Sequence, residues 1–196
     1  MTLRKGKRTR QMIIAKSSRI FNQKGYASAV ISDIMEETGL KKGGIYRHFE
    51  SKDQLAVEAF TFSTKTMQEH YRKALEDKKS GKERLLAFID AFAALERDVP
   101  IPGGCPLMNA AIEFDDSAPE FVPYVQSAMS NLLSSLQQFV IHGQQKHEIS
   151  IEVNPKEVSV IILSCLEGAL ALSRLYRCPE PLAQAVNYLK RYVDQL

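Results

Sequence analysis

The chain has 196 residues, 44% hydrophobic and 25% charged, with a formal net charge of +3, which suits a soluble globular protein of one or two domains with a substantial core. Its three cysteines, Cys105, Cys165 and Cys178, are odd in number and widely spaced, arguing against a disulfide scaffold and for a reducing cytoplasm; no CxxC or histidine cluster suggests a metal, and no signal peptide is expected. The most apolar stretch, Val158–Leu172, contains Ser159, Ser164, Glu167 and Gly168 and reads as too short and too polar to span a bilayer.

The small net charge hides an asymmetry. Residues 1–52 hold 12 Lys and Arg against 4 acids, and the rest of the chain holds 14 against 19. A basic N-terminal quarter on an acidic body is the electrostatic footprint of nucleic-acid binding. An anionic membrane surface would attract the same charge, but no large apolar face accompanies it.

In chain order, residues 1–8 read as a mobile basic arm, and a first helix is expected over Thr9–Lys24. Ile13, Ile14, Ser17, Ile20 and Phe21 mark its inner face, and Gly25 ends it. Val30–Phe49 then reads as two short helices around a turn. Ile31, Ile34 and Met35 give the first an apolar face, and Gly39 supplies the permissive backbone of the turn. The second starts at Lys41 and buries Ile45 and Phe49, leaving Lys41, Lys42, Tyr46, Arg47 and His48 outward. Cations at a helix start are mildly unfavourable, by roughly 0.3–1 kcal/mol each, so this pattern favours an anionic partner such as phosphate. An exposed basic turn with no ligand is the alternative.

Ser51 and Gln54 resemble a capping box opening a long helix to Lys79, with Leu55, Ala59, Phe62, Thr66, Tyr71 and Leu75 inward. Ser80-Gly81 breaks it. Further helices are expected over Lys82–Arg97, Pro106–Phe114 and Pro119–Gly143, with a turn at Asp115-Asp116-Ser117. Ile149, Ile151 and Val153 alternate and permit a short extended piece. Asn154-Pro155-Lys156-Glu157 is a helix start; that helix runs to Arg177, and a last one covers Pro181–Gln195. No convincing set of period-2 strands is found, so the fold class is all-α with about nine helices.

The N-terminal third resembles the tetracycline-repressor-like (TetR/AcrR-type) transcriptional regulators. The resemblance covers roughly residues 9–57. It rests on Ile20-Phe21, Lys24-Gly25-Tyr26, Ser32-Asp33-Ile34, Thr38-Gly39-Leu40, Lys42-Gly43, Ile45-Tyr46, His48-Phe49 and Ser51-Lys52-Asp53 with Leu55. It implies a three-helix DNA-binding head over 1–52 and a helical ligand-binding and dimerisation body over 53–196. Carried over by position, Ser32, Lys41, Lys42, Gly43, Gly44, Tyr46, Arg47 and His48 belong to the DNA-binding set, and Lys52 reaches a backbone phosphate. Three positions depart from the usual pattern. Ala29 and Val30 replace a Ser or Thr at the second helix, where Ser28 is an alternative cap. Lys41 stands where a small capping residue is usual, and Gly44 lacks a hydroxyl. Base preferences therefore do not transfer from a relative.

The candidate pocket centres on Cys105, Met108, Asn109 and Ile112, with walls from Phe88, Phe92, Phe121, Tyr124, Met129 and Cys165; each apolar member is equally readable as core. Cys105, beside a glycine pair and a helix start, is a candidate thiolate sensor, with a buried inert cysteine as the alternative. Asn109 and Glu113 are candidate anchors for a polar ligand group. For the dimer, the last two helices offer Val158, Ile161, Ile162, Cys165, Leu166, Ala169 and Leu172, then Leu182, Val186, Leu189 and Val193. Packing within one chain is the other reading of that pattern.

The expected function is a ligand-responsive repressor that binds a near-palindromic double-stranded DNA operator as a homodimer. A small-molecule effector is expected; catalysis, a cofactor, a metal and a membrane partner are not. The enzyme reading is weak, since no phosphate loop or G-x-S-x-G elbow occurs and Glu113, Asp115 and Asp116 suit a solvated turn. A helical interaction module without DNA contact is the third reading.

Overall fold

The computed structural model describes residues 2–97, 100–114 and 120–196, with side chains from Lys5 onward. The turn expected at Asp115-Asp116-Ser117 and Pro119 lies outside the described residues. Among those described there are nine α-helices, one 3-10 turn and no strand. The helices are α1 (Thr2–Lys24), α2 (Ile31–Thr38), α3 (Lys42–Tyr46), α4 (Lys52–Leu75), α5 (Gly81–Ala93), α6 (Pro106–Phe114), α7 (Val122–Gln145), α8 (Pro155–Tyr176) and α9 (Glu180–Gln195). They form two compact units, Met1–Met67 with Ile101–Gln126, and Gln68–Pro100 with Ser127–Leu196.

In the first unit α1 packs on α2 and α6, and α2 on α3. Ile13, Phe21, Ile34, Ile45, Phe49, Leu55 and Phe60 are buried together with Tyr26. The Tyr26 ring stacks on Phe21 at 5.2 Å and meets Phe114 at 5.1 Å and Phe121 at 5.4 Å. Burial, with the Glu113 carboxylate nearby, pushes its phenol well above the ordinary value. One expectation fails here: residues 5–8 are not a separate arm but the opening turns of α1. Arg and Lys are good helix formers, and Gly6 alone costs only about 1 kcal/mol against Ala.

Helix α4 carries the expected cap, with the Gln54 N–H donating to Ser51 Oγ at 3.0 Å. Its inner stripe runs through Leu55, Ala59, Ser63, Met67 and Tyr71, while Phe62 and Thr66 are half-buried. It ends at Leu75, short of Lys79: Glu76 and Lys78 N–H close turns onto Lys73 O and Leu75 O, and the next helix takes the amides of Lys79 and Ser80. Glu83 Oε2 accepts from Lys79 N–H at 2.9 Å and Ser80 N–H at 3.0 Å, and Ser80 Oγ accepts from Glu83 N–H at 3.0 Å. This capping box opens α5, and the two backbone donors hold the Glu83 carboxyl below its ordinary value.

In the second unit α5, α8 and α9 pack on one another. Leu85, Phe88, Ile89 and Phe92 meet a core that includes Ile162, Leu166, Leu189 and Val193. Asn154 caps α8 by accepting from Lys156 N–H at 3.0 Å. The segment before it is a turn and not an extended piece: Ile149 is buried, Ile151 is outside, and Gln144 Nε2 closes the loop onto Ser150 O at 3.0 Å and Val153 O at 2.8 Å. Helix α8 has 22 residues and a mean hydropathy of 1.8 over its most apolar window, long and apolar enough to cross a membrane by length and composition. Half of that window is buried in protein, as in the core helix of a bundle.

Candidate nucleic-acid interface

The interface is built on a scaffold of three short-range devices. The N-cap of helix α2 is Val30, which has no capping side chain; Asp33 compensates by accepting Val30 N–H at 2.9 Å, so Ser28 is not the cap. Asp33 also accepts Lys24 Nζ at 2.7 Å, and these bonds, that of Lys24 foremost, hold its carboxyl below the ordinary range. Gly39 then takes φ 72° and ψ 13°, with its N–H returned to Met35 O. In that left-handed region a side chain would be strained. The turn swings α3 out, and Ile45 and Phe49 bury beneath it at 0% and 2% exposure.

With Ile45 and Phe49 inward, the remaining positions face outward. Ser32, Lys41, Lys42, Gly43, Tyr46 and Arg47 are exposed, and Gly44, His48 and Lys52 are half-buried. Lys42 Nζ stands 5.9 Å from the Tyr46 ring centre, and the His48 ring lies against Phe49 at 6.5 Å. Nothing lies within 4 Å of where a Gly43 side chain would start, whereas at Gly44 that point is 3.6 Å from Leu40. The cations closest to the two short helices are of two kinds. Arg10 pairs with Glu58 at 2.6 Å, Lys16 donates to Glu37 O at 2.5 Å, Lys24 binds Asp33, and Lys52 donates to Ala27 O at 3.1 Å. Among the described residues Lys41, Lys42 and Arg47 have no ion-pair partner, so their charge faces outward uncompensated.

The residues expected around a pocket fall into both units. In the first, Cys105 is buried at 5% exposure, Met108 is half-buried, and Ile112 and Tyr124 are exposed. Phe121 belongs to the aromatic cluster, stacked on Phe114 at 4.1 Å. Asn109 Nδ2 donates to Asn22 Oδ1 at 2.9 Å and Gly103 O at 2.9 Å. Glu113 accepts Tyr26 N–H at 2.9 Å and Ala27 N–H at 2.6 Å. The two candidate ligand anchors thus hold α6 against α1 and the turn that follows it. In the second unit Phe88 meets Tyr71 at 4.8 Å and Phe92 at 6.3 Å, while Met129 and Cys165 are half-buried.

Sequence reasoning missed Asn22, which is 4% exposed and donates to Pro102 O at 2.9 Å and Gly104 O at 3.1 Å. The available signal was a polar residue one position past Phe21 on an apolar helix face.

The expected dimer residues divide by burial. Val158, Ile162, Leu166, Ala169, Leu182, Val186, Leu189 and Val193 are buried within the protomer, whereas Ile161 and Leu172 are exposed.

Two short helices around a left-handed glycine, with an exposed basic face on the second, define a helix-turn-helix protein. Residues 13–59 match the bacterial regulatory proteins of the tetR family, and residues 81–189 match the tetracyclin repressor-like C-terminal domain. A TetR transcriptional regulator from Chloroflexus aurantiacus is 38% identical in sequence, with a TM-score of 0.94 over 98% of this chain and 97% of that one. A TetR-family regulator from Cytophaga hutchinsonii is 26% identical, with a TM-score of 0.89 over 98% and 96%. The HTH-type transcriptional repressor DhaR of Mycobacterium sp. (strain GP1) is 24% identical over 175 residues, 89% of this chain and 87% of that protein. The chain therefore belongs to the tetR family of transcriptional regulators.

Proposed function

We propose that this regulator is a repressor that binds a near-palindromic operator as a homodimer and is released by a small molecule, or by modification, in its C-terminal domain. The observation that carries the DNA contact is the set of outward cations Lys41, Lys42 and Arg47 on a short helix whose opposite side is fixed by Ile45 and Phe49. Lysines in such a face neutralise phosphates and make affinity salt-dependent. Arg47 is suited to bidentate contact with guanine, and Tyr46 to phosphate or a thymine methyl. The similarity to DhaR, described as a repressor, favours repression over activation. Acting on chromosomal DNA, such a protein works in the cytoplasm. Gel shift with DNA flanking its own gene, repeated at several salt concentrations, tests this reading. A sequence-specific complex is expected, weakened by about fivefold or more by Arg47→Ala if that residue reads guanine at about 1–3 kcal/mol. Absence of any specific complex would sink it.

A dimer places two α3 helices about 34–36 Å apart in successive major grooves. The seam we propose follows the exposed side of α8: Ile161, Cys165, Gly168, Leu172 and Leu175, spaced alternately four and three apart. That spacing keeps them on one stripe, Leu172 and Leu175 are 47% and 73% exposed, and the small Gly168 has open space beside it. Leu172→Asp would bury a carboxylate from each protomer in an apolar seam. Sedimentation should then show a monomer where the parent chain is a dimer, with operator affinity falling in step. A variant that remains dimeric would move the seam elsewhere.

Effector control needs two states that the effector distinguishes. Helix α4 is the proposed lever, because one continuous helix of 24 residues starts directly after the DNA-binding segment. An effector that binds without changing operator affinity would overturn this part.

A further inference from the structure

The first turns of α1 carry a cationic surface that the reading of α3 does not use. Lys5, Lys7 and Arg8 are exposed, and among the described residues none has an ion-pair partner. The next cation, Arg10, is committed: it pairs with Glu58, and its guanidinium lies 4.8 Å above the Phe49 ring. Phe49 follows α3 by three residues, so this contact fixes where α1 passes the DNA-facing element. Further along α1, Lys16 is bonded to Glu37 in the last turn of α2. From Lys16 back to Arg10, α1 therefore travels from the end of α2 to the end of α3. Continuing past Arg10 carries it beyond the end of α3, with Lys7 about 4.5 Å further along the axis and Lys5 about 7.5 Å. Helical continuity holds these cations on a fixed path, and Thr9 Oγ1 donating to Lys5 O at 3.1 Å ties the turn together.

We propose that Lys5, Lys7 and Arg8 form a second DNA-backbone contact, engaging phosphates that flank the groove entered by α3. The inference rests on the DNA reading of α3. An element passing the end of a helix in the major groove meets the phosphate wall of that groove, where the duplex presents about one negative charge per 1.7 Å of axis. Three exposed cations with no internal acid complement that wall. They contribute affinity and register but no base preference, because phosphates carry no sequence information.

The test begins with an operator duplex selected from random DNA by the full-length protein, and an unrelated duplex of equal length. Binding to both is measured across a salt series for the parent chain, for Lys5→Ala/Lys7→Ala/Arg8→Ala, and for the triple replacement by Gln, which keeps side-chain length. Circular dichroism confirms folding of each. The plot of log affinity against log salt should flatten by about 0.9 for each phosphate that is no longer neutralised, hence by about 5 if all three cations of both protomers are engaged. The operator-to-unrelated affinity ratio should stay constant. An unchanged slope in both triple variants would overturn the proposal, as would a collapse of that ratio, which would make these residues base readers. Failure of the parent chain to select any sequence would sink the operator reading itself, a separate outcome from an operator bound with an unchanged variant slope.

Discussion

Gly81→Ala should destabilise the protein by about 3 kcal/mol, although alanine normally favours a helix over glycine by up to about 1 kcal/mol. Gly81 is the first residue of α5 and is buried. A methyl group there would lie 2.4 Å from Phe139 O, 2.5 Å from Gly143 N and 2.6 Å from Gly143 Cα. All three are backbone atoms of α7, so no rotamer change relieves the overlap and the helices must separate. Gly81 N–H is also in use, donating to Glu148 Oε2 at 2.9 Å, and a shift of α5 strains that bond too. For a chain of this size about 3 kcal/mol corresponds to a fall of roughly 6–12 °C in the unfolding midpoint. Gly143→Ala is the matched comparison: its methyl would meet only side-chain atoms, Ile149 Cδ1 at 2.6 Å and Cγ1 at 2.8 Å, so a shift of one side chain relieves the overlap without moving two helix backbones apart. Thermal unfolding of the two variants should separate them clearly, with Gly81→Ala the lower. Equal midpoints would mean that α5 and α7 are not packed backbone to backbone.

Asn22→Asp should be the more damaging change in the first unit, although it preserves shape. Asn22 Nδ2 supplies both hydrogen bonds to Pro102 O and Gly104 O, and Asn109 Nδ2 fills Asn22 Oδ1. An aspartate keeps the bond from Asn109 but turns an oxygen toward two carbonyl oxygens. Leaving each buried acceptor unpaired costs about 1–3 kcal/mol, so a loss of about 4 kcal/mol at neutral pH is expected. Gly103 cannot move to relieve it: with φ 119° it needs glycine, and a side chain there would lie 2.4 Å from Asn22 O. The sign of the pH dependence is diagnostic. The protonated acid can donate one bond, so folding favours it and raises the folded-state pKa. The penalty is then smallest, that of one carbonyl left unpaired, below the unfolded-chain value of about 4, and it grows as pH rises through the folded value. Denaturant midpoints at pH 7 and pH 5 should differ less from the parent chain at the lower pH. A penalty independent of pH would assign the damage to packing instead.

These two positions mark what one-dimensional reading does not reach. Asn22 and Asn109 are 87 residues apart, and nothing in the spacing of either announces the other. The sequence pattern sets Asn109 and Glu113 beside a ligand because polar residues on an apolar helix need partners. In the folded chain those partners are Asn22, Gly103 and the amides of Tyr26 and Ala27. The Ser80–Glu83 box is readable in principle, since it is the same local signal that identifies Ser51–Gln54, but the adjacent Gly81 also reads as a breaker. That glycine is there for close approach to α7, a contact between segments more than 50 residues apart in sequence.

By itself the sequence determined the all-α class, the helix-turn-helix, the caps at Ser51 and Asn154, and the basic face of α3. Each of these depends on residues within a few positions of one another, where helical period, turn glycine and capping oxygen act through local geometry. Tertiary structure decided which side of an all-round apolar helix such as α8 is core and which is left open. Val158, Ile162 and Leu166 went inward and Ile161, Leu172 and Leu175 outward. It also decided that the basic opening segment continues α1 and runs past Phe49. A helix apolar on several faces buries whichever face its neighbours cover, and that choice is made by packing between distant segments, which hydrophobic period alone does not encode.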